Sequence, residues 1–266
     1  MHQINYKITV QYEGTRYKGW QKQPGTENTI QGKLETLLSR CLDTPIEVWG
    51  AGRTDAGVHA LGQTANFWVP EDKLEAFAAQ EEASLRSLKT SAEDAALFSA
   101  LNHYLPEDIA VPQMVRASER FHARYLASSK WYRYRIRTSP VSDVMNRRFL
   151  WQYGSPLDIE KMYRASRALI GTHDFTSYCG LKMKKSAVRT ITDIRISRPD
   201  QDTIFLDYYG DGFLNHMVRL LTGELVEVGA GRFPEEAPAA ALEAQTKGAA
   251  CHTAPASGLT LMKVVY

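Results

Sequence analysis

The chain has 266 residues, 44% hydrophobic and 23% charged, which is enough apolar material for one large or two modest cores and excludes a disordered polymer. A formal net charge of +2 is too small to identify a polyanionic partner, so only charge gathered in particular segments is informative. Cys41, Cys179 and Cys251 lie far apart with no C-x-x-C spacing, which argues against a disulfide framework or a structural zinc and fits a reducing cytoplasm. The start, MHQINYKITVQYEG, has no signal-like apolar core, and no later run approaches the roughly 20 apolar residues of a membrane span. A cytosolic protein without membrane attachment is the expectation.

Ile4, Tyr6, Ile8, Val10 and Tyr12 alternate with polar residues and predict a half-buried first strand. Asn28, three residues before Gln31, predicts a helix cap, and Ile30, Leu34, Leu37, Leu38 and Cys41 follow at helical spacing. IEVWG reads as a second strand, TANFWV as a third, DAALFSALNHYLP as a helix closed by Pro106, and IAVPQMV as a fourth strand. The segment from Glu71 to Ser91, rich in Glu, Ala, Ser and Lys with few aromatics, falls outside the repeating order of elements and predicts an exposed helical or mobile insertion. The order then repeats: strand KWYRYRIR, a helix from about Asp158 to Ile170, strands TITDIRIS and TIFLDYYG, helix LNHMVRLLTGELVEVG, and strand LTLMKVVY. Two βαββαβ units, residues 1–118 and 119–266, predict an α+β protein of two ferredoxin-like halves, antiparallel sheets with helices on one face, and a central cleft.

Charge is segregated along the chain. Phe121 to Leu150 holds seven Lys or Arg against the single acid Asp143, whereas Glu71 to Asp108 holds nine acids against three bases. In KWYRYRIR the strand period places Tyr132, Tyr134 and Ile136 on one face and Arg133, Arg135 and Arg137 on the other. Arginines beside flat rings suit unstacked RNA bases, although a row of tyrosines equally suits a core and surface arginines equally suit a protected sheet edge.

The stretch GAGRTDAGVHALGQ, from Gly50 to Gln63, carries the densest chemistry. It lacks the third glycine of a dinucleotide fingerprint and the GK[ST] ending of a phosphate loop, so no nucleotide cofactor is implied. Asp55 and His59 are four apart on a glycine-containing loop with no further ligands nearby, which does not make a metal site. Two readings remain: a turn in which Asp55 caps backbone amides and Gly57 supplies a left-handed angle, or a reactive carboxylate.

This loop resembles the signature of the TruA family of tRNA pseudouridine synthases, and the resemblance runs the length of the chain. YEGTRYKGWQKQ is similar to the family's first strand and loop, FHARYLASSKWYRYRI to its tyrosine segment, DFTSY and VRTI to its mid-chain signatures, HMVRLLTG to its arginine helix, and GLTLMKVVY to its closing strand. The resemblance implies the pseudouridine synthase fold, with Asp55 as the catalytic nucleophile, Arg219 as its charge partner, and Arg53 as the residue that helps hold the nucleotide outside the stack. It further implies Tyr132, His59 and Arg124 as substrate-binding residues, no cofactor, tRNA as substrate and a homodimer as the working unit. An arginine among Met217, Val218, Leu220 and Leu221 requires a carboxylate if buried; the alternatives are that Arg219 extends to solvent or pairs with Glu224. The implied reaction breaks the N1–C1′ bond of uridine, turns the base over and joins C5 to C1′; attack at C1′, attack at C6 and proton removal from the sugar all remain open roles for Asp55. The basic residues Lys182, Lys184 and Lys185 are expected to contact phosphates. An RRM-like RNA-binding module is the alternative, although no RNP1-like run is present, and a glycosidase would need a second facing carboxylate.

Overall fold

In the computed structural model, which describes residues 2–81, 92–181, 186–250 and 252–266, the chain divides into two units, Met1–Ala127 and Ser128–Tyr266. Lys182, Lys184 and Lys185 therefore lie outside the described residues, as does the second half of the expected insertion.

The opening alternation becomes strand β1 (Gln3–Tyr12), on which Ile4, Tyr6, Ile8, Val10 and Tyr12 are all buried. It is followed by α1 (Ile30–Cys41), β2 (Trp49–Gly50), β3 (His59–Pro70), α2 (Glu71–Glu81), α3 (Ala92–Tyr104) and β4 (Ile109–Ala117). Within this unit the strands lie in the order β4-β1-β3-β2, every pair antiparallel. Tyr6 faces Phe67 across the ladder, their rings stacked at 5.5 Å. Pro112 is accommodated because β4 pairs on one side with β1 and, among the described residues, has no second ladder within the unit.

Three expectations shift here. The α1 cap is Thr29 rather than Asn28: its Oγ1 accepts from Gly32 N at 3.2 Å, while Asn28 donates instead to the Arg16 carbonyl. The second strand shrinks to Trp49–Gly50 because α1 side chains take the preceding amides, Ile46 N donating to Ser39 Oγ at 2.9 Å and Val48 N to Glu35 Oε1 at 3.1 Å. Residues 71–81 take the helical of the two forms expected, α2, but one face of it is not exposed: Leu74, Phe77 and Ala78 are buried at helical spacing and the helix packs on α3.

The second unit contains β5 (Ser129–Arg137), β6 (Trp151–Gln152), α4 (Ile159–Ser166), β7 (Gly171–Asp174), β8 (Val188–Ser197), β9 (Thr203–Gly210), α5 (Met217–Gly229), α6 (Ala237–Ala244) and β10 (Leu259–Val265). Its strand order is β10-β5-β9-β8-β7, antiparallel throughout, with β6 added parallel to the end of β5. Without the short β6 and β7, the four long strands follow the same 4-1-3-2 order as the first unit, as two ferredoxin-like βαββαβ units require. The predicted helix to Ile170 is shorter: Asp158 caps it through bonds from Glu160 N and Lys161 N, and after Ser166 it tightens into a single 3-10 turn, Arg167–Leu169.

Helix α5 is the core of this unit. Its polar residues are buried but satisfied, Thr222 sharing a 2.9 Å bond with Tyr208 and Glu224 accepting from the Tyr178 hydroxyl. Burial raises the Glu224 carboxyl above its ordinary range, against the opposing effect of the Tyr178 bond.

Candidate active site

β2 ends at Gly50 and β3 begins at His59, so the strand starts earlier than its hydrophobic pattern predicts and the connecting loop narrows to residues 51–58. This loop is tied down at several points. Ala51 N donates to Thr64 O at 2.8 Å, Gln63 Nε2 to Gly52 O at 2.8 Å, and Val58 N to Asp55 O at 3.2 Å. The long β1–α1 connection clamps it from the other side: Trp20 N donates to Thr54 O at 3.1 Å and Gly57 N to Tyr17 O at 3.3 Å. The Tyr12 hydroxyl shares a 2.8 Å bond with Thr54 Oγ1, and burial raises its phenol pKa so that it stays neutral.

Ala51, Thr54 and Val58 are consequently buried, Asp55 is half-buried and Arg53 is exposed. Gly57 adopts φ 80, the left-handed angle expected of it. Gly50 is required by contact: a Cβ there would lie 2.5 Å from the Trp20 indole, which is 2% exposed and fills the space beneath the loop. The carboxylate of Asp55 is thus carried on a backbone fixed on both sides, the condition for a reacting group that must not reorganise.

His59 is 2% exposed, and its Nδ1 accepts from Gly14 N at 3.0 Å, so its ring braces the β1–α1 connection against the start of β3. Arg124 is exposed at the end of a segment held by two buried asparagines. Asn5 Nδ2 donates to the carbonyls of Ser118 and Phe121, both at 2.9 Å, and Asn66 accepts from Ala123 N at 2.8 Å while donating to Asn5 Oδ1 at 3.1 Å. Next to Arg124, His122 has its pKa lowered by burial and then by the Arg124 charge. In the same unit, Trp49 and Trp68 meet edge to face at 4.9 Å on the β2–β3 hairpin.

In the second unit the predicted faces of β5 are found: Tyr132, Tyr134 and Ile136 are buried, and the arginines are partly exposed. The rings beside the β5 arginines are therefore not the tyrosines of β5 but Trp131 and Phe205, while Tyr209 lies beside Arg195 of β8. Arg133 forms a forked pair with Asp207 at 2.8 and 2.9 Å and lies 4.5 Å from the Phe205 ring centre, while Trp131 donates to Asp207 at 2.7 Å and stacks on Tyr209. Tyr132, 7% exposed, meets the half-buried Phe213 edge to face at 5.2 Å. Arg219, in the first turn of α5, donates through Nε to Ala254 O at 2.7 Å, and Ala254 N returns a bond to Arg219 O at 3.1 Å. Glu224, the carboxylate considered for it on the same helix, is engaged by Tyr178 instead.

Sequence reasoning missed the supporting residues Tyr12, Trp20, Gln21, Gln63 and Phe213. Trp20 carries a signal, an aromatic in a glycine-rich loop, and Gln63 closes the Gly50–Gln63 motif itself; Tyr12, Gln21 and Phe213 act through partners remote in sequence, Thr54, Arg53 and Tyr132. Among the described residues, no three His, Cys, Asp or Glu side chains gather as metal ligands, and no helix is long and apolar enough to cross a membrane.

The family described as tRNA pseudouridine synthase matches residues 8–126 and 165–266. Over 263 residues the chain is 41% identical to "tRNA pseudouridine synthase A" of Bacillus sp. (strain KSM-64), covering 98% of this chain and 99% of that protein. "tRNA pseudouridine synthase A" of Moorella thermoacetica is 41% identical over 262 residues, 98% of each chain, and "tRNA pseudouridine synthase A" of Acetivibrio thermocellus is 37% identical over 267 residues, 98% of this chain and 99% of the relative. The solved "Crystal Structure of a Cbf5-Nop10-Gar1 Complex" is similar over 97% of this chain and 49% of that chain at 9% identity and a TM-score of 0.36, too remote to add to this. With most of the chain matched and relatives aligned from end to end, the chain belongs to the TruA family of tRNA pseudouridine synthases.

Proposed function

We propose that this chain converts uridine to pseudouridine on the 3′ side of the tRNA anticodon arm, with Asp55 as the nucleophile. The observation that supports this most is the clamped loop, which carries a half-buried carboxylate between the buried, hydrogen-bonded Thr54 and Val58. The reaction is an isomerisation. The N1–C1′ bond breaks, the detached base turns, C5 bonds to C1′, the C5 proton leaves and N1 gains a proton, so no electron acceptor or energy source is consumed.

As the family resemblance implies, Arg219 is assigned as the charge partner of Asp55, Tyr132 as the ring against the target base, and Arg53 as the cation that holds the extruded nucleotide. Extrusion costs a few kcal/mol, and stacking of about 1–3 kcal/mol per base offsets most of it. The exposed Arg124 is assigned to a phosphate. The buried His59 acts on the substrate only indirectly, by bracing the loop through Gly14. A cytoplasmic homodimer acting on tRNA completes the reading, supported by the names of the relatives for the substrate alone.

Release of tritium from C5-labelled uridine in tRNA tests this, with Asp55→Asn as the comparison. Turnover by the unaltered chain and loss in the variant, with tRNA binding kept, is the expected result. Binding without turnover by the unaltered chain would favour the RNA-binding module, and turnover by Asp55→Asn would remove Asp55 from the mechanism.

A further inference from the structure

Arg53 is exposed, and an exposed arginine normally samples many rotamers. Its Nε nevertheless donates to Gln21 Oε1 at 3.1 Å, and this bond is the first of a chain. Gln21 Nε2 donates to Gln31 Oε1 at 2.7 Å, and Gln31 Nε2 donates to Glu35 Oε1 at 2.9 Å. Gln31 and Glu35 are each 7% exposed, one turn apart on α1. They are fixed further by bonds from Gln31 Nε2 to Val48 O at 3.0 Å, from Val48 N to Glu35 Oε1 at 3.1 Å, and from Lys22 to both, N to Gln31 Oε1 at 2.9 Å and Nζ to Glu35 Oε2 at 3.1 Å.

The ends of the chain set its direction. A guanidinium only donates and a carboxylate only accepts, so each intervening amide turns its oxygen toward Arg53 and its NH2 toward Glu35. Bonds aligned in one sense between opposite charges polarise one another, and their buried end is rigid. The fork of Arg53 beyond Nε is left to engage an anionic or carbonyl partner while the stem is held.

We propose that Gln21 is a positioning residue for the reaction: with Gln31 and Glu35 behind it, it fixes the direction of the Arg53 side chain and so lowers the cost of holding the nucleotide out of the stack. This rests on the role assigned to Arg53 above. Gln21 touches no reacting atom, so its loss acts on turnover after tRNA has bound rather than on binding.

The full-length protein with C5-tritiated tRNA provides the test, comparing Gln21→Met, which keeps the size but loses the acceptor, with Gln21→Glu, which keeps an acceptor for Arg53. Gln21→Met is expected to lower kcat about three- to ten-fold, the scale of one hydrogen bond to a charged group in a partly wet setting. KM and melting temperature are expected to stay as in the unaltered chain, Gln21→Glu, which keeps the acceptor but loses the donor to Gln31, to recover only part of the kcat, and Gln21→Met to have no further effect in an Arg53→Ala background. A Gln21→Met protein of full kcat, or one whose loss adds in full to that of Arg53→Ala, overturns the relay while leaving Arg53 in place. Full turnover by Arg53→Ala alone overturns the role of Arg53 and the relay with it.

Discussion

The two units share one strand order yet treat the same hairpin differently. In the second unit the connection between the second and third long strands is residues 198–202, a mostly exposed turn closed by Asp202 N on Asp200 Oδ1 at 2.9 Å. In the first unit the equivalent connection is the Asp55 loop, longer, partly buried and clamped by the β1–α1 segment. A duplicated fold thus supplies two equivalent positions, and the chemistry proposed above is placed at one of them. What distinguishes them, besides the shorter β2, is the second layer of backbone laid against the loop.

The largest effect that can break this contrast is Asp55→Asn. It is expected to lower turnover roughly ten-thousand-fold or more while leaving the circular dichroism and tRNA affinity unchanged, as loss of a reacting group does. Next, Tyr132→Leu should cost about ten- to a hundred-fold in kcat/KM, the scale of one lost stacking contact, and Tyr132→Phe far less. If both variants behave alike, the ring has no stacking role.

Gly50→Ala tests the clamp. Its Cβ meets Trp20, so a loss of about 1–3 kcal/mol in urea denaturation is expected, accompanied by reduced turnover. By contrast, Asp200→Ala in the matching turn is expected to stay within about 0.5 kcal/mol and to keep full activity. Equal losses at the two hairpins would erase the difference between them.

The core of the second unit gives a pH-dependent counterpart. Burial raises the Glu224 carboxyl, so the folded chain holds that proton to higher pH than the unfolded chain does. The associated stability is fully present below the unfolded carboxylate range and declines as pH rises through the folded value. Replacing Glu224 with Gln should remove that decline, so the stability of the variant relative to the unaltered chain improves from acid toward neutral pH; a difference independent of pH would refute it.

The order of long elements was legible because alternation and helical spacing are local properties, as β1, β5 and α1 show. What failed locally did so for identifiable reasons. IEVWG has strand composition, but Ser39 and Glu35 on α1 take the amides that a ladder would use. In the segment from Glu71, a composition of Glu, Ala, Ser and Lys hides the helical spacing of Leu74, Phe77 and Ala78. Among the candidate residues, motifs point to Asp55, Arg53, Tyr132 and Arg219, whereas nothing local marks Gln21 or Phe213, whose significance lies in what folding brings beside each within its own unit.

The perpendicular indoles of Trp49 and Trp68 have an optical consequence. Two such chromophores at van der Waals range share their excitation, and the coupled pair yields a paired positive and negative band in the ultraviolet that separated indoles lack. Because both sit on the hairpin that carries Asp55, following that band during unfolding would time the dismantling of the first unit on its own, without any label attached to the chain.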